Sequence, residues 1–135
     1  LALSGVEARQ NKFEEARRSA AVAVDLARQA GLENLAARAL IDLGNAFQVK
    51  GELSEAKRYY LDALEAAERG KVPRNRARAL INLGGLRVQY GDEAERQQGV
   101  RDLESALAFY RQGQFARETF QALLLLGRAR RAAGD

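Results

Sequence analysis

Apolar positions along the chain recur at helical spacing. Leu40, Leu43, Ala46 and Phe47 share one face of a helix, and Ala56, Tyr60, Ala63, Leu64 and Ala67 form a second stripe. Glycines punctuate these stripes at regular intervals. Gly44, Gly84 and Gly127 each follow a leucine, and Gly51, Gly91 and Gly134 come seven residues after them. A third set, Gly31, Gly70 and Gly113, falls between the segments so defined. The first two steps of this pattern are 40 and 43 residues. ARALIDLGNAFQVKG (37–51) aligns without a gap on ARALINLGGLRVQYG (77–91). FEEARRSAAVAV (13–24), LSEAKRYYLDAL (53–64) and QGVRDLESAL (98–107) align as well, with Ala16, Ala56 and Gly99 in register.

A fixed period of this length marks a helical repeat protein. The pattern predicts helices near 1–10, 12–29, 33–50, 53–69, 74–90, 97–112 and 115–133. It places the three extra residues of the longer step in the turn after Gly91, within DEAERQQ. Gly51 suits a helix end, where a left-handed residue costs glycine least. Pro73 suits a first turn, where its missing N–H does no harm. Gly44, Ala56 and Ala63 are small enough for helix backbones to approach closely.

Composition narrows the picture. Ala, Leu, Glu, Lys and Arg make up 79 of 135 residues, which favours long helices. With no Cys and no His, the usual zinc sites, thiol nucleophiles and histidine-based triads are excluded. Phosphate-loop and nucleophile-elbow patterns are absent too. The expectation is a chain without catalytic residues, metal or cofactor. No apolar run approaches the roughly 20 residues of a membrane span, so a soluble, cytoplasmic protein is expected. The excess of Arg over Lys, 18 against 4, points to a GC-rich bacterial source. The lack of Met, even at position 1, suggests a fragment of a longer protein.

The leading-helix Leu-Gly pair, the turn glycine, Ala56, Tyr60 and Ala63 resemble the tetratricopeptide repeat family. Its usual period is about 34 residues; a 40-residue step is closer to the long-repeat branch of LGN-type and bacterial regulator repeats. Arg87 and Arg130 depart from the aromatic that Phe47 supplies, and Glu68 replaces a closing proline. The resemblance implies an all-α, right-handed solenoid of antiparallel helix pairs with a concave groove. Its units are approximately 1–32, 33–72 and 73–114, with a partial fourth at 115–135.

The resemblance also implies that leading helices line the groove. The second unit then contributes Arg38, Ile41, Asp42, Asn45 and Gln48, and the third Arg78, Ile81, Asn82, Val88 and Gln89. The fourth contributes Gln121, Leu124, Leu125, Arg128 and Arg131. Independently of the family, Asn45 and Asn82 are amides opposite the apolar stripe, able to pair with an extended peptide backbone. They match the two asparagines of a family variant that clamps a C-terminal carboxylate. Its basic positions read Ile41, Gln121 and Leu125 here, so that clamp is not supported.

Residues 69–91 hold six basic side chains and no acid. Such a segment attracts an acidic peptide or nucleic acid. A solvated loop is the simpler account, with Arg38 pairing to Asp42 on its own helix, and no aromatic residues interleave the arginines for base stacking. The acidic turn Asp92, Glu93, Glu95 lacks calcium-loop spacing and reads as an ordinary helix start.

The last predicted helix carries four successive leucines, too many for one face. Leu123 and Leu126 match Leu40 and Leu43 and are expected to pack inward. Phe120, Leu123, Leu124 and Leu126 form a candidate self-association surface, most simply a two-fold homodimer through this helix. The leading functional expectation is a non-catalytic scaffold that binds a protein or peptide segment, acidic by charge complementarity, in the groove. The alternatives are a regulatory or sensor module of a larger signalling or transcription protein, and nucleic-acid binding through 69–91.

Overall fold

The computed structural model describes residues 5–134. Six helices follow one another: α1 (Gly5–Gln29), α2 (Glu33–Lys50), α3 (Leu53–Gly70), α4 (Pro73–Tyr90), α5 (Glu93–Gln112) and α6 (Ala116–Ala132). No strand occurs among the described residues. The fold is all-α.

Two boundaries differ from the sequence expectation. Helices near 1–10 and 12–29 form a single helix from Gly5 onward, while residues 1–4 lie outside the described part. Gln10, Asn11 and Lys12 contain no breaker, and an asparagine costs a helix well under 1 kcal/mol relative to alanine. The three extra residues after Gly91 do not widen a turn either. They lengthen α5, which begins at Glu93 because the Asp92 carboxylate accepts a hydrogen bond from the Glu95 N–H at 2.9 Å. That is an N-cap, and it confirms the acidic turn as a helix start.

Gly51 ends α2 as expected, with φ at 89°. Its N–H donates to the Gln48 carbonyl at 3.0 Å, and the Glu52 N–H donates to the Phe47 carbonyl at 2.9 Å. This paired closure satisfies carbonyls that the helix end leaves unpaired. Pro73 opens α4.

Each helix packs on the next. Beyond that, the backbones of α2 and α4 and of α4 and α6 come close, and Lys57 of α3 reaches Glu95 of α5 through its side chain. The core follows this order in three overlapping clusters. Val24, Ala36, Leu40, Ile41, Ala63 and Ala67 join α1, α2 and α3. Tyr60, Leu83 and Leu86 join α3 to α4. Leu80, Leu103, Ala106, Tyr110, Ala122 and Leu126 join α4, α5 and α6. Alanines dominate because the helices lie close together. At Gly44 a Cβ would stand 2.5 Å from the Tyr60 ring, and at Gly84 it would stand 2.9 Å from Leu103. A side chain at either position would force its neighbours to move, the buried Tyr60 ring at Gly44 and Leu103 with the Gly99 carbonyl at Gly84. The consequence for function is that α2, α4 and α6 lie side by side.

Candidate functional site

A cavity of about 430 Å³ opens where these three helices meet. Asn45 reaches it from α2, and Arg74, Arg78, Ile81 and Asn82 from α4. Tyr110 comes from α5, and Arg117, Glu118 and Gln121 from α6. The helical repeat explains the assembly. Arg74, Arg78 and Asn82 stand four residues apart, one above the other on the same face of α4. Arg117 and Gln121 occupy on α6 the positions of Arg74 and Arg78, 43 residues on. Register and period together bring a basic set from two helices to one wall.

Three arginines and one glutamate leave the wall positively charged. Arg117 lies 3.5 Å from Glu118, both on α6, in a contact that is largely solvent-exposed on the arginine side and so weak. The Arg74 guanidinium sits 4.8 Å from the centre of the Phe115 ring. Arg78 makes no ion pair among the described residues and is half-buried.

Tyr110 is 1% exposed, and its hydroxyl has no hydrogen-bond partner among the described residues. Burial pushes this phenol up to about 12; Glu118 adds to the shift, while Arg78 and Arg74 oppose it. The group is therefore a neutral donor at physiological pH. The hydroxyl oxygen has almost no accessible surface, so it is enclosed by protein although the residue borders the cavity. The other fully buried tyrosine, Tyr60, is satisfied. Its hydroxyl lies 2.5 Å from Asn45 Oδ1 and 2.7 Å from Gln48 Oε1.

Of the residues expected to form the groove, Asn45, Arg78, Ile81, Asn82 and Gln121 line this cavity. The two asparagines are each half engaged. Asn45 Oδ1 accepts from Tyr60, and the Asn82 amide nitrogen donates to the Arg78 carbonyl at 3.0 Å. Gln48 is taken up by Tyr60. Ile41 and Val88 were expected in the groove but are buried. Helices α2 and α4 are contacted on several sides, which leaves only a narrow strip of each open. Arg38 is exposed and makes no ion pair with Asp42, contrary to expectation. Asp42 instead borders a second hollow of about 570 Å³, between α1 and α2, with Phe13, Ala46 and Val49. Gln89, Arg128 and Arg131 are exposed and lie outside both hollows.

The candidate self-association face also changes. Leu126 is buried in the α4–α5–α6 core, so it cannot form an exposed contact. Leu123, expected inward, is 43% exposed, as is Leu124; Phe120 is 67% exposed. Leu40, the counterpart of Leu123, is buried in a cluster with Ala63 and Ala67 of α3, whereas no helix follows α6 among the described residues. Leu125 is half-buried, close to Gly85.

The basic 69–91 segment is divided by the fold. Arg69 pairs with Glu33 and Glu65, at 3.2 and 3.0 Å. Arg76 lies 3.8 Å from Glu68 and donates to Ser105 at 3.2 Å. Arg87 is drawn inward, 2.8 Å from the buried Asp102 and 3.2 Å from Glu95, which Lys57 also holds at 2.7 Å. Arg74 and Arg78 are left to the cavity. Sequence reasoning missed Arg74, Tyr110, Arg117 and Glu118 as lining residues. One signal was available: Tyr110 stands where Ala67 stands in the preceding unit, 43 residues earlier.

No protein-family model matches the chain, and no curated protein matches it. No helix among the described residues is long and apolar enough to cross a membrane.

Proposed function

We propose that this chain is a non-catalytic interaction scaffold of tetratricopeptide type. Its helix pairs form a right-handed solenoid whose concave face, lined by α2, α4 and α6, binds a segment of another protein. One observation carries this reading. The three helices that the repeat makes equivalent converge on one cavity, and they present amides and arginines there, groups that hydrogen-bond a peptide backbone and its side chains. The contact order supports the solenoid, since α2 meets α4 and α4 meets α6 while α1 and α6 stay apart. Nucleic-acid binding through 69–91 is the weaker reading, because Arg69, Arg76 and Arg87 already have acidic partners.

The test is selection of binders from a random peptide display library against the purified chain. Binders should lose affinity for Arg78→Glu and for Asn45→Ala with Asn82→Ala, at unchanged helicity. Each lost hydrogen bond is worth on the order of 1 kcal/mol. A library without binders, or binders indifferent to both variants, would overturn the reading.

A further inference from the structure

The two ends of the helix row are open in complementary ways. Leading helices α2, α4 and α6 alternate with trailing helices α3 and α5, and residues 13–24 of α1 match α3, 40 residues on. Helix α6 is thus a leading helix that packs on no trailing helix of its own among the described residues. Helix α1 is a trailing helix that packs on no leading helix of its own. Exposure marks both sides. Phe120 and Leu123 of α6 are exposed, whereas their counterparts Ala77 and Leu80 are buried with Leu103, Ala106 and Tyr110 of α5. Leu26 of α1 is 60% exposed, whereas its counterpart Ala66 is 1% exposed, clustered with α2. Gly44 and Gly84 face Tyr60 and Leu103, yet nothing lies within 4 Å of a Cβ placed at Gly127. Gly5–Gln10 stand 40 residues before the end of α2, but they extend α1 instead of folding back onto it.

We infer that the outer side of α6 takes α1 of a second copy of this chain as its trailing helix, in a head-to-tail contact that continues the helix row. Contacts inside the molecule fix the register of this junction. The Gly44–Tyr60 and Gly84–Leu103 crossings carry over to Gly127 against Ala20 of the second copy. On antiparallel helices the same register brings Phe120, seven residues before Gly127, beside Leu26 and Ala27 of the second copy. Both exposed apolar faces are thereby covered. Charge makes the occupant a second copy. Leading helices also approach one another, since a Cβ at Gly85 of α4 would stand 3.3 Å from Leu125 of α6. These positions carry over to Arg128 of α6 and Asp42 in α2 of the second copy. Arg128 and Asp42 are both exposed, and neither makes an ion pair among the described residues. Arg130 stands in the place of Arg87, which meets Asp102 and its neighbour Gln98 on α5; α1 carries Glu15 in the place of Gln98. The end of α6 then lies over the apolar hollow between α1 and α2 that Asp42 borders. A contact between unlike ends leaves one end of each kind open, so association continues beyond the dimer.

The test is sedimentation velocity of the whole chain over a wide concentration range at low salt. The average sedimentation coefficient should keep rising past that of a dimer. Leu123→Glu with Leu124→Glu blocks the α6 end, and Leu26→Glu blocks the α1 end. Each variant alone should sediment as a monomer with unchanged helicity. An equimolar mixture should form a heterodimer that grows no further, because one variant keeps an intact α6 and the other an intact α1. Asp42→Arg and Arg128→Asp should each weaken association of the otherwise unaltered chain a few-fold. Their mixture should associate more tightly than either alone, since every junction between unlike variants joins opposite charges. Both positions are exposed, so this pair reads the junction even where a leucine variant loses helicity. A chain that stays monomeric throughout overturns the inference. So does a Leu26→Glu variant that still dimerises, which places a two-fold contact on α6, and so does a charge mixture no tighter than its components.

Discussion

In the α2–α3 pair Phe47 stacks on Tyr59, ring centres 5.3 Å apart. At the same register of the α4–α5 pair, 40 and 43 residues on, Arg87 meets Asp102 at 2.8 Å. The first pair closes with aromatic rings, and Phe13 of α1 adds an edge-on ring at 5.4 Å. The second closes with charges, and Gln98, Glu95 and Lys57 surround the ion pair. The backbone arrangement survives the exchange. Gly44 faces Tyr60 and Gly84 faces Leu103, which are equivalent positions. Closure of a helix pair is thus set by small residues at the crossing, and the chemistry at its end is free to vary. A second exchange, Ala67 for Tyr110, separates the pairs in the same way and puts a buried tyrosine beside the cavity.

The largest effect is expected from crossing the two closures. Arg87→Phe alone leaves Asp102 buried without a cation, and Asp102→Tyr alone removes the acid that Arg87 holds. Each should cost about 3–5 kcal/mol of unfolding free energy. The double variant restores the ring pair of α2–α3 and should recover most of that loss, as a strongly favourable coupling in a denaturant double-mutant cycle. Additive losses would mean that the two pairs are not equivalent.

Next in size is Gly44→Ala, whose Cβ meets the Tyr60 ring at 2.5 Å. Overpacking of this kind costs about 1–3 kcal/mol, and chemical denaturation should detect it. Between the tyrosines the sign should differ. Tyr60→Phe loses its contacts with Asn45 and Gln48 and should destabilise by about 1 kcal/mol. Tyr110→Phe should be neutral or stabilising in the same assay.

Acid should act on the charged closure and leave the aromatic one. Lys57 holds the Glu95 carboxyl below its ordinary value of 4.5, against the opposing effect of burial, with Arg87 helping. A depressed carboxylate contributes stability that is present above the unfolded value and is lost as pH falls through the folded one. The melting temperature should therefore drop below about pH 4.5. Glu95→Gln should lower it at pH 6 and flatten the acid drop. The smallest effect concerns Gln114, two residues beyond the end of α5, with φ at 60°. Gln114→Gly should stabilise by about 0.5–1 kcal/mol, since glycine takes that conformation without a Cβ penalty.

Much of this architecture is legible in the sequence. The Leu-Gly pairs, the Ala56 and Ala63 register and the Gly51 turn follow from steric rules that act within one or two helix turns, and α2, α3 and α4 begin and end within about two residues of expectation. Other features need contacts between helices. The Arg87–Asp102 pair joins residues whose closeness depends on how α4 lies on α5. The basic run 69–91 looks continuous along the chain, yet helix packing sends Arg87 inward and Arg76 toward α5. Asn45 and Asn82 could be placed in the cavity from register alone, whereas the partners that half occupy them could not. The misplacement of Leu123 has the same origin, since its burial depends on a neighbouring helix.

The central claim is that one face, lined by α2, α4 and α6, receives the partner segment. Photo-crosslinking tests it most directly. A benzophenone amino acid placed singly at Asn82, Gln121, Arg58, Arg101 or Phe120 is irradiated with a library-selected peptide, and the products are mapped by mass spectrometry. Crosslinks from Asn82 and Gln121, with none from Arg58 of α3, Arg101 of α5 or Phe120, are the expected result. Crosslinks confined to Arg58, Arg101 or Phe120 would contradict it and place the binding surface elsewhere on the molecule.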